Sequence, residues 1–157
     1  MKIVICCVGR TDIAHVQDAI NVYSNRLKHY VPVEINIIPE QKQWKKLSPD
    51  PRKKAEGEAI LAQLLPGDQA VLLDEKGKQY TSEGFAEFLQ KKMASGAKRL
   101  VFIIGGAFGF SSDVYAAVPE KISLSKMTFS HQMIRGFLLE QIYRGMTILK
   151  NEPYHNR

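Results

Sequence analysis

Hydrophobic residues recur along this chain in two alternating patterns. Lys2–Val8 is an almost unbroken apolar run that ends at Gly9, which is typical of a strand covered on both faces. From residue 13 to residue 30 the apolar positions step by three and four, which predicts one face of a helix. The same alternation predicts further strands at 33–37, 69–74, 100–104 and 121–124, and further helices at 50–65, 82–96, 112–118 and 131–150.

Local signals set the expected boundaries of these elements. Asp50, followed by a proline, and Ser82 are predicted to cap helices, and Gly96 is predicted to end one. The polar run 75–78 is predicted to be a turn, and the lysine-rich stretch after the second strand is predicted to be a loop.

Five strand-then-helix units predict one α/β domain over residues 1–157, with a parallel sheet and helices on both faces. In such sheets, ligands bind beyond the carboxyl ends of the strands. Three loops are therefore candidate binding segments: those that follow Leu73, Ile104 and Leu124.

Composition narrows the class of protein. The chain has 157 residues, of which 45% are hydrophobic and 24% charged, as expected of a globular domain. No apolar run approaches the roughly 20 residues that span a bilayer, and no cleavage site follows the short apolar start, so we expect a cytoplasmic protein without a signal peptide. Cys6 and Cys7 are neighbours in a predicted strand, so their side chains should point to opposite faces and stay reduced.

Positive charge is concentrated in one segment. The net charge is +6, and residues 42–54 hold six basic side chains against the single acid Asp50. Such a cluster is either an ordinary solvated surface or a contact region for phosphate groups. The candidate substrate-binding residues of this segment are Lys45, Lys46, Lys53 and Lys54.

Several kinds of chemistry find no motif in the chain. The four histidines are scattered without metal-ligand spacing, so we expect no metal site. The chain also lacks a phosphate-binding Walker sequence, a dinucleotide fingerprint and a nucleophile elbow. The glycine-rich loop 105–109 is compatible with a close backbone approach to a ligand, or with nothing more than a tight turn. The kind of site that these absences leave is one that binds a small molecule through backbone groups and small hydroxyls.

One polar run lies between two apolar elements, and its sequence is specific enough to compare with known families. Residues 123–129 read SLSKMTF, and His131 and Gln132 then open the last helix. Together with the loop GGAFG at 105–109 and the ending Tyr154-His155, this pattern closely resembles the bacterial ribosomal RNA large subunit methyltransferase H family, of the SPOUT class. The resemblance covers nearly the whole chain. One departure is Ser130, where relatives commonly have proline.

The resemblance implies a homodimeric enzyme with a C-terminal trefoil knot. It implies S-adenosylmethionine as the cofactor, and N3 of a pseudouridine in the 23S rRNA of the ribosome as the methyl acceptor. The implied cofactor-binding residues lie in the same three loops after strands: Leu73, Gly105, Leu124, Ser125, Lys126, Met127, Thr128 and Phe129.

Catalytic roles follow from what methyl transfer to a ring nitrogen requires. The proton on N3 must leave, so a cation that stabilises the developing anion would help. Arg135 is the first candidate for this cation and Arg144 the second; His131 is either a base or a residue that organises the loop. His155 is a further catalytic candidate, and Tyr154 and Arg144 are candidate substrate-binding residues. Tyr154 and His155 are expected to lie close to the pocket of a partner subunit.

Two other functions are compatible with the sequence. One is a non-catalytic module that binds RNA or the ribosome through the basic segment. The other is a regulatory protein that binds a small molecule without transferring a methyl group. The last helix has apolar residues on more than one face, which predicts a symmetric dimer.

Overall fold

Five parallel strands form the centre of the protein, whose computed structural model describes residues 1–156. The strand order is β2-β1-β4-β3-β5. The α/β class and the parallel sheet predicted from the sequence are confirmed, whereas the trefoil knot stays a prediction. The strands span β1 (Lys2–Val8), β2 (Val33–Ile38), β3 (Gln69–Gln79), β4 (Arg99–Ile104) and β5 (Lys121–Ser123).

Helices cover both faces of the sheet. One face carries α1, α3 and α5, with α5 packed between the other two, and the opposite face carries α2, α4 and a short 3-10 helix. The helices span α1 (Ala14–Leu27), the 3-10 helix (Lys42–Lys46), α2 (Pro49–Leu61), α3 (Ser82–Ala94), α4 (Ser112–Ala117) and α5 (Met133–Leu149).

The central strands are buried on both sides, as their continuous apolar sequences predict. Ile5 and Phe102 face the layer of α1, α3 and α5, whereas Ile103 faces that of α2 and α4. Cys6 and Cys7 point to opposite faces, as expected. Burial raises the pKa of Cys6 to about 12 and that of Cys7 to about 11, so both remain thiols.

The predicted turn at 75–78 is wrong, because β3 runs on through these residues to Gln79. Its far half pairs with β5 after a shift in register, so that both Leu73 and Lys78 lie opposite Ile122. Gly77 is in direct backbone contact there: a Cβ atom on it would lie 2.4 Å from the carbonyl carbon of Ile122. Pairing between distant segments therefore overrides the local preference for a turn.

Helix boundaries also differ from the expected ones by a few residues. Thr81 rather than Ser82 caps α3, and its hydroxyl accepts a hydrogen bond from the Gly84 amide at 3.0 Å. Ser48 rather than Asp50 occupies the cap position of α2. The basic stretch that was expected to be a loop contains the 3-10 helix, because Trp44 is buried in the α2 face. α5 begins at Met133, two residues after the predicted start.

We predict that Gly77→Ala lowers the free energy of unfolding by about 2 kcal/mol or more, since the new methyl group meets backbone that cannot rotate away. Gly136→Ala is the matched control: its Cβ would meet only the Ala19 methyl, at 3.6 Å, inside a helix, so it should raise stability by up to about 1 kcal/mol. Guanidinium denaturation of both variants is the measurement. Equal stabilities for the two would refute the account of the β3–β5 crossing.

Candidate active site

A cavity of about 800 Å³ opens at the carboxyl edge of the sheet. Residues 73–76 and the loops that follow β4 and β5 form most of its wall, and the start of α5 closes it. Residues 73–76 were predicted to begin a loop, but they belong to β3. Of the eight predicted cofactor residues only Lys126 is not part of the lining, and its side chain is exposed. The other seven converge on this cavity: Leu73, Gly105, Leu124, Ser125, Met127, Thr128 and Phe129.

The glycine-rich loop after β4 forms one wall. Gly109 has a φ of +82°, and the loop closes on itself through a bridge between Gly106 and Gly109. A Cβ atom on Gly105 would lie 3.1 Å from the Phe110 ring and 3.3 Å from the Gly109 carbonyl oxygen. The absence of a side chain at Gly105 is therefore required by the loop itself.

A polar wall that the sequence did not predict lies across the cavity. Asp74, the first residue after Leu73, accepts a hydrogen bond from the Tyr115 hydroxyl and a second one, at 2.8 Å, from the Lys76 amide. Burial, followed by the bond to Asp74, raises the pKa of Tyr115, so its hydroxyl keeps its proton. The position of Asp74 at a strand end was a usable signal, whereas Tyr115 had none.

The hydroxyls of the polar run hold the loop after β5 in shape. Ser125 accepts a hydrogen bond from the Met127 amide at 2.9 Å, and Thr128 donates one to Glu75 at 2.8 Å. Ser130, the departure from the usual proline, accepts one from the Met133 amide at 3.1 Å. This bond satisfies the first amide of α5, so the serine supplies a hydrogen-bond acceptor that proline would lack.

Arg135 lies outside the cavity lining and is 1% exposed. Its guanidinium donates to the carbonyl oxygens of Val8 at 2.8 Å and Gly9 at 2.9 Å, to the Thr11 hydroxyl at 2.9 Å and to the His131 carbonyl at 3.1 Å. These contacts are those of a residue that positions the loop and the helix, and the catalytic role of Arg135 stays a prediction.

His131 does line the cavity and is partly buried. Burial and the nearby charge of Arg135 lower the pKa of His131, although Glu40 and Glu56 oppose part of the shift. The imidazole is therefore neutral at pH 7 and can accept a proton.

The C-terminal tail packs on the helices instead of fraying. Tyr154 donates a hydrogen bond to Glu140 at 2.9 Å, and His155 lies 3.2 Å from both Arg144 and Glu83. Arg144 therefore makes more than the simple pair with Glu140 that its spacing suggests. Neither Tyr154, His155 nor Arg144 lines the cavity of its own chain, and Arg157 lies outside the described residues.

The four predicted RNA-binding lysines lie on the 3-10 helix and α2. Lys45, Lys46 and Lys54 are exposed, whereas Lys53 reaches the cavity lining and pairs with Asp50 at 3.3 Å. Trp44 is buried against the sheet and anchors the 3-10 helix, so the basic segment has a fixed position relative to the cavity.

Within residues 1–156, no group of three or more histidine, cysteine or acidic side chains is arranged to hold a metal ion. Among the helices of the same range, none is both long and apolar enough to cross a membrane.

We predict that Arg135→Lys lowers the free energy of unfolding by about 2–4 kcal/mol, since an ammonium group cannot replace the forked contacts and leaves buried carbonyls unsatisfied. Arg10→Lys, at an exposed position next to the same loop, is the control and should change stability little. Thermal unfolding checks both. An Arg135→Lys protein as stable as the parent but unable to turn over its substrate would support the catalytic role.

Comparison with known proteins identifies the family. The model of the predicted SPOUT methyltransferase family matches residues 1–155. The ribosomal RNA large subunit methyltransferase H of Parabacteroides distasonis is 58% identical over 99% of both chains, and that of Christiangramia forsetii is 54% identical over 100% of both. The crystal structure of a methylase family protein from Neisseria gonorrhoeae, 12% identical, shares the fold with a TM-score of 0.51 over 99% of this chain and 85% of the other. The chain thus belongs to the SPOUT methyltransferase family.

Proposed function

We propose that this protein transfers a methyl group from S-adenosylmethionine to N3 of a pseudouridine in 23S rRNA, in the cytoplasm. The observation that carries the proposal is the convergence of seven predicted cofactor residues on one cavity. The names of relatives at 52–58% identity over the full length support the same activity.

The residues of the cavity fit such a cofactor. Its volume of about 800 Å³ lies within the range of small-molecule sites. Leu73, Ile104 and Leu124 supply apolar surface, while Asp74 and the loop amides supply polar groups that suit an adenosine and an amino acid. When bound, S-adenosylmethionine supplies a methyl group on a positively charged sulfur.

The protein's own residues have to place the base and take its proton. His131 is the candidate acceptor for the N3 proton, because its neutral imidazole lines the cavity. A hydrogen bond from Arg135 to the His131 carbonyl fixes the main chain of His131, and this limits where the imidazole ring can lie. Most of the rate enhancement then comes from positioning and from excluding water.

The active site is completed by a second copy of the chain. Phe137, on the outer face of α5, is 42% exposed, and its ring centroid lies 5.0 Å from that of Phe129 in the cavity wall. A second cavity of about 300 Å³ lies beside these two rings. An apolar face continuous with the cavity favours a symmetric dimer in which the partner's tail brings Tyr154 and His155 to the cavity.

The test of the proposed function has two arms. Calorimetry measures the affinity for S-adenosylmethionine, and mass spectrometry of nucleosides measures methyl transfer to ribosomes that lack the modification. Binding of the cofactor together with a new N3-methylpseudouridine supports the proposal. RNA binding without cofactor binding would indicate the non-catalytic module instead, and cofactor binding without transfer would indicate the regulatory protein.

We predict that replacing Lys45, Lys46 and Lys54 by glutamine weakens ribosome binding and lowers its salt dependence, the log–log slope falling by about 2–3. The affinity for S-adenosylmethionine should stay unchanged, because these lysines lie outside the cavity lining. The control replaces three exposed lysines at the opposite edge of the sheet: Lys28, Lys91 and Lys98. If both triple variants bind alike, the basic segment is only a solvated surface.

We also predict that deleting residues 154–157 lowers the single-turnover rate of methyl transfer by about a hundredfold or more, which is the range of a lost acid–base or orienting group. Fold and dimer should persist, because the core does not include the tail. Deleting only residues 156–157 is the control and separates the last two residues from Tyr154 and His155. A 154–157 deletion that methylates at the parent rate would show that the tail is dispensable.

A further inference from the structure

One aromatic ring at the rim of the cavity is exposed without an evident structural reason. Phe108, in the glycine-rich loop, is 47% exposed. Single exposed apolar residues are common on proteins. Here, however, three of the seven large exposed apolar residues within residues 1–156 line this one cavity: Phe108, Met127 and Phe129. Such clustering marks a binding surface.

A fixed cation supports this ring. The Arg52 guanidinium carbon lies 5.3 Å from the centroid of Phe108. Arg52 is itself held by two carboxylates: its Nε donates to Glu56 at 3.0 Å, and its terminal nitrogen donates to Glu40. The ring therefore stands against a guanidinium that has little freedom to move.

The support for Arg52 has a structural cost. Glu56 is 1% exposed, and its Oε2 has no hydrogen-bond partner within the described residues. A Cβ atom on Gly106 would lie only 2.5 Å from this oxygen, so the carboxylate fits only because residue 106 is glycine. Burying a carboxylate is costly unless it is compensated. The ion pair between Glu56 and Arg52 offsets this cost. It also fixes the Arg52 guanidinium beside the exposed ring of Phe108.

We propose that Phe108, supported by Arg52, is a stacking surface for an unpaired base of the RNA substrate. The inference rests on the proposed function and adds a nucleotide subsite to it. Proteins bind unpaired RNA bases by stacking them on aromatic rings and on arginine planes. Lys53, next to Arg52 in the chain and also in the cavity lining, is placed to contact a phosphate of the same strand.

The first test compares two substitutions of one ring. Phe108→Leu keeps apolar volume but removes the aromatic face, so we expect the KM for ribosomes to rise about tenfold, or about 1.4 kcal/mol. Phe108→Tyr keeps the face and should retain the parent KM. Leu65→Ala, at an exposed apolar residue near the opposite edge of the sheet, is the control and should also behave as the parent.

The affinity for S-adenosylmethionine, measured in the absence of RNA, shows whether the Phe108 ring contacts the RNA or the cofactor. An unchanged affinity in Phe108→Leu, together with the raised KM, supports base stacking. A fall in cofactor affinity as large as the rise in KM would overturn the proposal, because the ring would then cover the cofactor. A parent-like KM in Phe108→Leu would overturn it as well.

A second measurement is independent of methyl transfer. In Phe108→Trp, the indole at the rim should lose fluorescence when short single-stranded oligoadenylate is added, whereas a duplex of similar length should have little effect. The signal of buried Trp44, the one tryptophan of the natural sequence, is obtained from the parent protein and subtracted. Quenching supports the subsite even if the ribosome proves not to be the substrate. No quenching, or equal quenching by the duplex, overturns it.

Discussion

The guanidinium of Arg135 connects two pieces of chain that lie far apart in the sequence, the end of β1 and the start of α5. It joins the end of β1, through Val8 and Gly9, to the first turn of α5 and to the carbonyl of His131. Hydrogen bonds from a charged donor are among the stronger ones in proteins, and Arg135 is buried. The loop between β5 and α5 therefore ends at a fixed point, and the position of His131 in the cavity depends on it. An ammonium group could not satisfy this arrangement.

The parallel sheet determines why the cavity lies where it does. All five strands run in one direction, so the loops after β4 and β5 meet residues 73–76 of β3 at the same edge although the three segments are distant in sequence. α2 and the 3-10 helix bring the basic segment to this same edge, where Lys53 enters the lining. Positive charge and the cavity are therefore adjacent because of topology, and a polyanion that bound these lysines would lie at the cavity mouth.

Local pattern was enough to predict the class of fold, the five strands and the three segments that line the cavity, although the first of these segments belongs to β3 and is not the predicted loop. It failed where distant pairing decides: β3 continues through a run with turn chemistry because β5 lies beside Gly77. Arg135 is a catalytic candidate in the sequence because it follows a polar loop. The sequence gives no sign that its side chain is buried against the main chain and not directed into the cavity. Two of the carbonyls that hold it, those of Gly9 and Val8 at the end of β1, are 126 and 127 residues away in the chain. Glu56 and Tyr115 were missed for the same reason.

The two sides of the cavity are held by different kinds of contact, which bears on how it can accept a ligand. The glycine-rich loop stands against the buried Glu56 and Phe110, so it cannot move without disturbing the α2 layer. The loop after β5 is exposed from residue 126 to residue 130 and is held by single hydrogen bonds, such as that from Thr128 to Glu75. Each such bond contributes only about 1 kcal/mol net and can be exchanged for a bond to a ligand. The cavity thus combines a wall held by buried packing with a wall held by exchangeable hydrogen bonds, and a bound ligand would meet one rigid and one adjustable side.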